Sequence, residues 1–162
     1  MAKKILVPLD GSGLAEKIFP QVAKFIASTP AEIHLLQVVS PPSLSIGGVR
    51  NRPQEPDTYG ARKYVDKIIR EEKEQEEELT AHARAYLEKI VTRLGKKGIK
   101  AHFLIAYGKD AVQICEIAQK KKFDLIAMAT HGHSGLGRWA LGSVTDKVLQ
   151  CSRVPVLVFR VA

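Results

Sequence analysis

The chain has 162 residues, of which 45% are hydrophobic and 26% are charged, and its formal net charge is +8. This length and composition predict one globular domain. No apolar run is close to the length of a membrane span, which is about 20 residues. Residues 70–78 carry six Glu against two basic residues, a net of −4, which leaves +12 on the rest of the chain. That excess suits an anionic ligand. The basic residues lack the interleaved aromatic residues on which nucleic-acid bases stack, so nucleic acid is not expected.

The amino-terminal segment predicts a buried strand followed by a helix. KILVPLD at 4–10 is a continuous apolar run, typical of a strand covered on both faces and not of a signal peptide. Ser12 is placed to cap the helix, and Pro20 should bend it. The buried face of this helix is predicted to comprise Leu14, Ile18, Val22 and Phe25.

The middle of the chain differs from both ends. Half of the eight prolines lie between residues 40 and 58, which predicts an irregular loop that acts as a lid or a partner contact. From about 59 to 94 the pattern is helical, but residues 70–78 have no apolar stripe. We expect that charged segment either to overhang the domain or to separate two helices.

The remaining elements complete an alternating order of strands and helices. Asp110 is expected to cap a helix after the third strand, and Gly142 with Ser143 opens a helix before the last strand. Such alternation forms a parallel sheet with right-handed crossovers. We therefore predict an α/β fold, a single domain over 1–162 with a five-stranded parallel sheet and helices on both faces. The four further strands are predicted at 32–39, 98–108, 123–130 and 154–161.

The two cysteines are expected to be reduced. Cys115 and Cys151 lie on predicted helices without the spacing of a metal site. We therefore expect small buried thiols in a reducing cytoplasm and not a disulfide.

A glycine-rich stretch, ATHGHSGLGRWALGS at 129–143, follows the fourth predicted strand. Glycine leaves no Cβ to block a ligand, and a helix N-terminus presents unpaired N–H groups that attract phosphate. The stretch therefore predicts a phosphate cradle, with hydroxyl groups from Ser143 and Thr145 and a cation from Arg138 or His133; a flexible connection is the alternative. The glycines are Gly132, Gly135, Gly137 and Gly142.

This cradle is neither of the two familiar phosphate-binding motifs. Gly137 and Gly142 have P-loop spacing, but Ser143 stands where lysine is required. A G-x-G-x-x-A pattern begins at Gly135, but no acidic residue lies about 20 residues further on, as a Rossmann fingerprint needs.

Other strand ends at the same edge offer groups for the rest of a nucleotide. Asp10 could accept a hydrogen bond from an adenine amino group or a ribose hydroxyl, or simply cap the helix. Backbone groups at Val38 could contact a base edge, or Val38 could be core. His131 and His133 have no third ligand nearby, so we expect no metal held by protein ligands alone, and Mg²⁺ would arrive with phosphates.

The sequence resembles the universal stress protein family over essentially its whole length. KILVPLDGSGLAEKIFPQVAKFIA resembles the opening strand and helix of that family, and DLIAMATHGHSGLGRWALGSVTDKVLQCSRVPVLVF its closing half. Nucleotide-binding members have G-x-x-G, nine residues and then G-[S/T]. Here the spacing is kept from residue 129 to Ser143, but Ala129 replaces the first glycine.

The resemblance implies a Rossmann-like fold of the adenine nucleotide alpha hydrolase type, with an adenine nucleotide across the carboxyl edge of the sheet. It implies that adenosine lies near Pro8, Leu9, Asp10 and Val38. It implies that the phosphates lie near Ala129, Gly132, His133, Ser134, Gly135, Gly142, Ser143, Val144 and Thr145. It also implies a homodimer through the last strand, at Val154, Pro155, Val156, Leu157 and Val158; Pro155 independently suits an edge strand because it cannot donate a ladder bond.

Three functions stay open from the sequence. The first is a cytoplasmic, dimeric sensor or signalling module in the stress response, which binds ATP (or ADP or AMP), with Mg²⁺ carried by the phosphates and a protein partner at 40–78. The second is a slow ATPase or nucleotidyl-transfer enzyme, although no catalytic residue is assigned. The third is a cyclic AMP or AMP binder, or a partner-binding protein that needs no nucleotide.

Overall fold

The computed structural model describes residues 3–13, 15–27, 30–40, 58–131 and 141–161. Five parallel strands form one sheet in the order β3-β2-β1-β4-β5, which confirms the predicted α/β fold. The chain adds β2 and β3 on one side of β1 and then β4 and β5 on the other, so the switch point lies between β1 and β4. The elements are β1 (Lys3–Leu9), a 3-10 turn (Ala15–Ile18), α1 (Phe19–Ile26), β2 (Ala31–Val39), α2 (Thr58–Gly95), β3 (Ala101–Tyr107), α3 (Asp110–Lys120), β4 (Leu125–His131), α4 (Ser143–Cys151) and β5 (Val156–Val161).

Helices cover both faces of the sheet and bury two apolar clusters. Ile5 and Val7 of β1 face α1 and α2, while Leu6 between them faces α3 and α4. This alternation explains why the first strand is a continuous apolar run, since both faces of a central parallel strand lie in the core. None of the described helices is both long enough and apolar enough to cross a membrane.

The first helix begins later than the sequence predicts. A 3-10 turn precedes α1, so Pro20 lies in the first turn of α1, where it needs no hydrogen bond and does not bend the helix. Ser12 caps the 3-10 turn, its Oγ accepting a hydrogen bond from the N–H of Ala15 at 3.2 Å. Ile18 and Val22 are buried as predicted, but Phe25 is 50% exposed, and Phe19 is the other buried residue of α1. The predicted core residue Leu14 lies outside the described residues.

The charged segment 70–78 is part of one continuous helix and does not separate two helices. Only the last third of α2 packs against the sheet. Its buried residues recur at helical spacing, at Ala83, Leu87, Ile90 and Leu94. The preceding part of the helix is mostly exposed, which agrees with the overhanging alternative. The irregular loop predicted at 40–58 falls largely on residues 41–57, outside the described part of the chain.

Helices α3 and α4 lie side by side. Two predictions made for these helices were wrong. Asp110 is the first residue of α3 and makes no capping bond; Lys109 occupies the cap position. Cys115 and Cys151 form a disulfide, with their Cα atoms 6.3 Å apart. The prediction of free thiols was wrong because it treated each cysteine alone, whereas the packing of α3 on α4 brings together residues 36 positions apart.

Candidate functional site

A cavity of about 500 Å³ opens at the carboxyl edge of the sheet, beside the switch point between β1 and β4. This volume is within the usual range for small-ligand pockets. The described residues that line it are Pro8, Leu9, Asp10, Ser12, Ala15, Leu36, Val38, Ser40, Asp110, Ile114, Met128, Ala129, Thr130, Leu141, Gly142, Ser143, Val144, Thr145 and Val161.

The end of β1 forms one wall of the cavity. Asp10 Oδ1 accepts hydrogen bonds from the backbone N–H of Ser12 at 2.9 Å and from its hydroxyl at 2.6 Å. The chain turns sharply here because Gly11 has a φ of +82°. Asp10 Oδ1 therefore organises the turn that precedes Ala15 and does not cap a helix, and the exposed carboxylate lies on the cavity wall.

The start of α4 forms the opposite wall. Gly142 adopts a φ of +85° immediately before the helix and makes no side-chain cap. The first backbone hydrogen bond of the helix runs from the N–H of Asp146 to the carbonyl of Gly142 at 3.0 Å. The N–H groups of Ser143, Val144 and Thr145 therefore have no partner within the helix. They give this wall the partial positive charge of a helix N-terminus.

A residue of strand β4 holds the segment that leads into α4. Thr130, at the end of β4, is 5% exposed, and its hydroxyl donates to the carbonyl of Leu141 at 2.7 Å. This bond sets where the helix begins relative to the strand. Sequence reasoning missed Thr130 because a threonine in an apolar strand reads as a core residue.

The floor of the cavity is apolar and was also missed. Leu36, Ile114 and Met128 come from β2, α3 and β4 and are buried within one core cluster. Val38 is half-buried beside them, so it is both part of the core and part of the cavity wall. The signal that could have revealed this floor is the last apolar residue on one face of each strand that ends at this edge.

Further polar groups come from the loops around the cavity. Ser40 follows β2, and its hydroxyl donates to the carbonyl of Gly108 at 3.0 Å, joining the ends of β2 and β3. Among the described lining residues, the ionisable side chains are Asp10 and Asp110. The wall thus offers carboxylates on the side of β1 and α3 and backbone donors on the side of α4.

The sequence-predicted site residues are only partly brought together by the described structure. Nine of them line the cavity: Pro8, Leu9, Asp10, Val38, Ala129, Gly142, Ser143, Val144 and Thr145. The others lie outside the described residues: Gly132, His133, Ser134 and Gly135.

A buried phenol lies next to this site. Burial, together with the nearby carboxylates of Glu16 and Asp10, raises the pKa of Tyr86 above its ordinary value. The carboxylate of Glu16 also forms an ion pair with Arg93 of α2. Tyr86 is therefore a neutral group between α2 and the turn that follows β1.

The topology and the cavity define a doubly wound α/β protein with a cavity at its switch point, where such folds commonly bind ligands. The family model described as the universal stress protein family matches residues 1–160, and the chain belongs to this family.

Individual relatives match over nearly the whole chain. Universal stress protein MJ0577 of Methanocaldococcus jannaschii is 32% identical over 160 residues, which cover 99% of this chain and 96% of the relative. Universal stress protein YxiE of Bacillus subtilis is 29% identical over 160 residues, covering 99% and 100%. The solved structure of MJ0577 superposes with a TM-score of 0.73 at 30% identity, covering 99% and 96% of the two chains.

Two more distant structures share the fold and contain nucleotides. A universal stress protein family protein from Arabidopsis thaliana with AMP bound gives a TM-score of 0.62 at 15% identity, over 98% of this chain and 91% of that one. A universal stress protein in complex with cAMP gives a TM-score of 0.55 at 18% identity, over 99% and 98%.

Proposed function

We propose that this protein binds an adenine nucleotide, with ATP as the first candidate, and acts as a cytoplasmic, dimeric sensor or signalling module in the stress response. The observation that carries the proposal is the wall of unpaired N–H groups at the start of α4, which faces a cavity bounded by Asp10. Fold relatives with AMP and cAMP bound support adenine nucleotides as the ligand class.

The cavity walls suggest how a nucleotide would lie. The apolar floor at Leu36, Ile114 and Met128 suits a base, and Asp10 could accept a hydrogen bond from a sugar hydroxyl or an amino group. The phosphates would then lie against the start of α4, with Mg²⁺ bound to them. The residues predicted to complete the phosphate site are Gly132, His133, Ser134 and Gly135.

Calorimetric titration of the protein, stripped of nucleotide, tests this proposal. ATP–Mg²⁺, AMP and cyclic AMP are titrated separately, and we expect saturable 1:1 binding with ATP–Mg²⁺ the tightest. Equal affinity for ATP and AMP would remove the role assigned to the distal phosphates. Absence of heat for all three would leave a partner-binding protein that needs no nucleotide.

The dimer is proposed to form through β5. Within the described chain, β5 pairs only with β4 and so leaves one edge open. The N–H of Ile126 donates to the carbonyl of Pro155 at 2.9 Å, so the alternate residues Val156 and Val158 direct their backbone groups away from β4. An apolar edge of this kind invites pairing with a second copy.

The variant Val158→Lys tests this interface. It should shift the molecular mass in sedimentation from dimer to monomer, because two lysines would approach across the two-fold axis. Unchanged mass, or a wild type that is already monomeric, would contradict the β5 interface.

A protein partner is proposed along the overhanging part of α2. Val65 and Ile69 are one turn apart on this helix and are 51% and 56% exposed, beside the acidic run at 70–78. Crosslinking from residue 66 in cells, with and without stress, should capture a partner other than a second copy. Capture of the protein itself alone would identify this face as an interface between copies.

A further inference from the structure

We infer that the chain carries a second ligand site, for a divalent transition metal of the zinc class, at the amino ends of β2 and β3. Its ligands are Glu32 and His34 of β2 and His102 of β3. The site lies on the face of the sheet that packs against α3, at the end opposite the cavity. It is independent of nucleotide binding.

The register of the sheet creates this cluster. Glu32 and His34 are two residues apart on β2, so their side chains leave the same face. The pairing of β2 with β3 places His102 directly opposite His34. The two imidazole rings stack with their centroids 5.0 Å apart and their planes at 30°.

The three ligand atoms converge on a small volume. Glu32 Oε2 lies 3.8 Å from His34 Nε2 and 3.9 Å from His102 Nε2, and all three atoms lie within 4.8 Å of one another. In a tetrahedral zinc site, ligand atoms are about 3.3 Å apart, given Zn–N and Zn–O distances of about 2.0–2.2 Å. To bind zinc, the two distances from Glu32 Oε2 to the imidazole nitrogens would shorten by about half an ångström. The distance between the two imidazole nitrogens would shorten somewhat more. His102 is 48% exposed and so is free to make that adjustment.

The environment of His34 points to a missing ligand. The His34 side chain is only 17% exposed. Its Nε2 atom is buried and has no hydrogen-bond partner. The edge of the ring packs against buried Phe123, with the centroids 5.0 Å apart. A buried nitrogen without a partner is costly, and a metal bond would satisfy it.

A second polar group holds the carboxylate in place. Lys100 forms an ion pair with Oε1 of Glu32, which leaves Oε2 turned toward the two imidazoles. Metal-binding carboxylates are commonly oriented in this way by an outer hydrogen bond. That bond from Lys100 lowers the pKa of Glu32, and burial, with the neighbouring His102, lowers the pKa of His34.

The donor set selects the kind of metal. Two imidazole nitrogens and one carboxylate suit Zn²⁺, Co²⁺, Ni²⁺ or Cu²⁺ and do not suit Mg²⁺ or Ca²⁺, which prefer oxygen ligands. Three protein ligands would leave a fourth position for water. Lys4 and Lys100 border the cluster, and their charge limits the expected affinity to the micromolar range.

Zinc titration of the untagged, chelator-treated protein without nucleotide tests the site. A chromophoric zinc indicator should report one ion per chain, and Co²⁺ should give the visible absorption bands of four-coordinate cobalt. His102→Ala and Glu32→Gln alter side chains that are 48% and 23% exposed, and each should weaken zinc binding at least tenfold. His34→Gln should do the same, with circular dichroism used to check its fold.

The chain provides matched controls among its five histidines. His82→Ala, on the exposed face of α2, and His133→Ala, in the glycine-rich stretch, should leave zinc affinity unchanged. Absence of saturable binding, or binding that His102→Ala and Glu32→Gln leave intact, would overturn the proposal. The cluster would then be an ion-pair network between neighbouring strands. Loss of binding in His133→Ala would instead place the metal at the glycine-rich stretch.

Discussion

The two ends of the sheet are built in opposite ways. At the carboxyl end, backbone groups at the turn of Gly11 and at the start of α4 join two carboxylates and an apolar floor around the cavity. At the amino end, long ionisable side chains from neighbouring strands meet across β2 and β3. About 13 Å of β2 separates His34 from Val38 at the cavity.

This difference shows how each end can recognise a ligand. Backbone donors at a helix start can follow the shape of a phosphate without committing a charged side chain. A cluster of imidazole and carboxylate groups instead requires each side chain in one position, because the metal fixes the distances between them. The first kind of site can be predicted from a local stretch of sequence. The second can be predicted only when the pairing of the strands is known.

Removal of the disulfide should cause the largest loss of stability among the changes proposed here, and the loss should be greater around α4 than around His34. Reduction, or the variant Cys115→Ser with Cys151→Ser, removes a crosslink that closes 36 residues and should cost about 3–4 kcal/mol of unfolding free energy. The melting temperature should fall by about 10 °C. Hydrogen exchange should increase first in α4, whose last residue is Cys151, and little near His34.

Two outcomes would contradict this prediction. A reductant that lowers the melting temperature of the double serine variant equally would show that the crosslink is not the cause. Equal loss of protection in α4 and near His34 would show that the disulfide stabilises the whole domain alike. Because cytoplasmic thiols are usually kept reduced, trapping of free thiols at the moment of cell lysis measures which form exists in the proposed compartment.

The next largest expected effect is a difference in nucleotide affinity between variants of two glycines. Gly142 at the cavity and Gly98 before β3 both have positive φ, +85° and +73°, and at both an added Cβ would meet no atom within 4 Å. Gly142→Val and Gly98→Val should therefore lose similar stability, about 1–2 kcal/mol each. Only Gly142→Val should lose nucleotide affinity, by about 100-fold or 2.7 kcal/mol, because its side chain would stand where the phosphate approaches the helix. Calorimetry with ATP–Mg²⁺ checks this, and equal affinities of the two variants would contradict the assigned cradle.

Ala129 tests how tightly the carboxyl end fits its ligand. It stands where the nucleotide-binding pattern has glycine, and it lines the cavity. Ala129→Gly should raise ATP affinity about threefold by making room, and it should lower stability by about 0.5–1 kcal/mol because glycine weakens a strand. Zinc affinity at the amino end should not change. A drop in ATP affinity would show that the methyl group contacts the ligand favourably.

The smallest expected effect concerns alkaline pH. An unfolded tyrosine titrates near pH 10, and the raised pKa of Tyr86 means that folding favours its protonated form. Its contribution to stability is complete below about pH 10 and is lost as pH rises toward the higher folded pKa. Urea unfolding between about pH 9 and pH 11 should therefore show a steeper decline for the wild type than for Tyr86→Phe. Tyr107→Phe, at a half-exposed tyrosine, should keep the steep decline.

Most of the fold was predictable because its signals are local. Each predicted strand was confirmed to within a few residues, and the start of α4 at Gly142 and Ser143 was confirmed. Errors arose at element boundaries: a 3-10 turn precedes α1, so Pro20 lies in the first turn of the helix, and α3 begins at Asp110 and not after it.

What the sequence could not predict depends on pairing between distant segments. Cys115 meets Cys151 only because α3 packs on α4, and His102 meets His34 only because β3 takes one register on β2. A one-residue slip of that register would have turned His102 to the opposite face. The Glu-x-His spacing on β2 was visible in the sequence, but its third member was not.

Helix α2, with 38 residues, is the longest of the described elements. Near the carboxyl end of the sheet, the hydroxyls of Thr80 in α2 and Tyr107 in β3 share a hydrogen bond of 3.0 Å. The 22 residues of α2 before Thr80 extend about 33 Å beyond that point, at 1.5 Å per residue. Each protomer should therefore diffuse and tumble more slowly, when monomeric, than a sphere of 17.9 kDa.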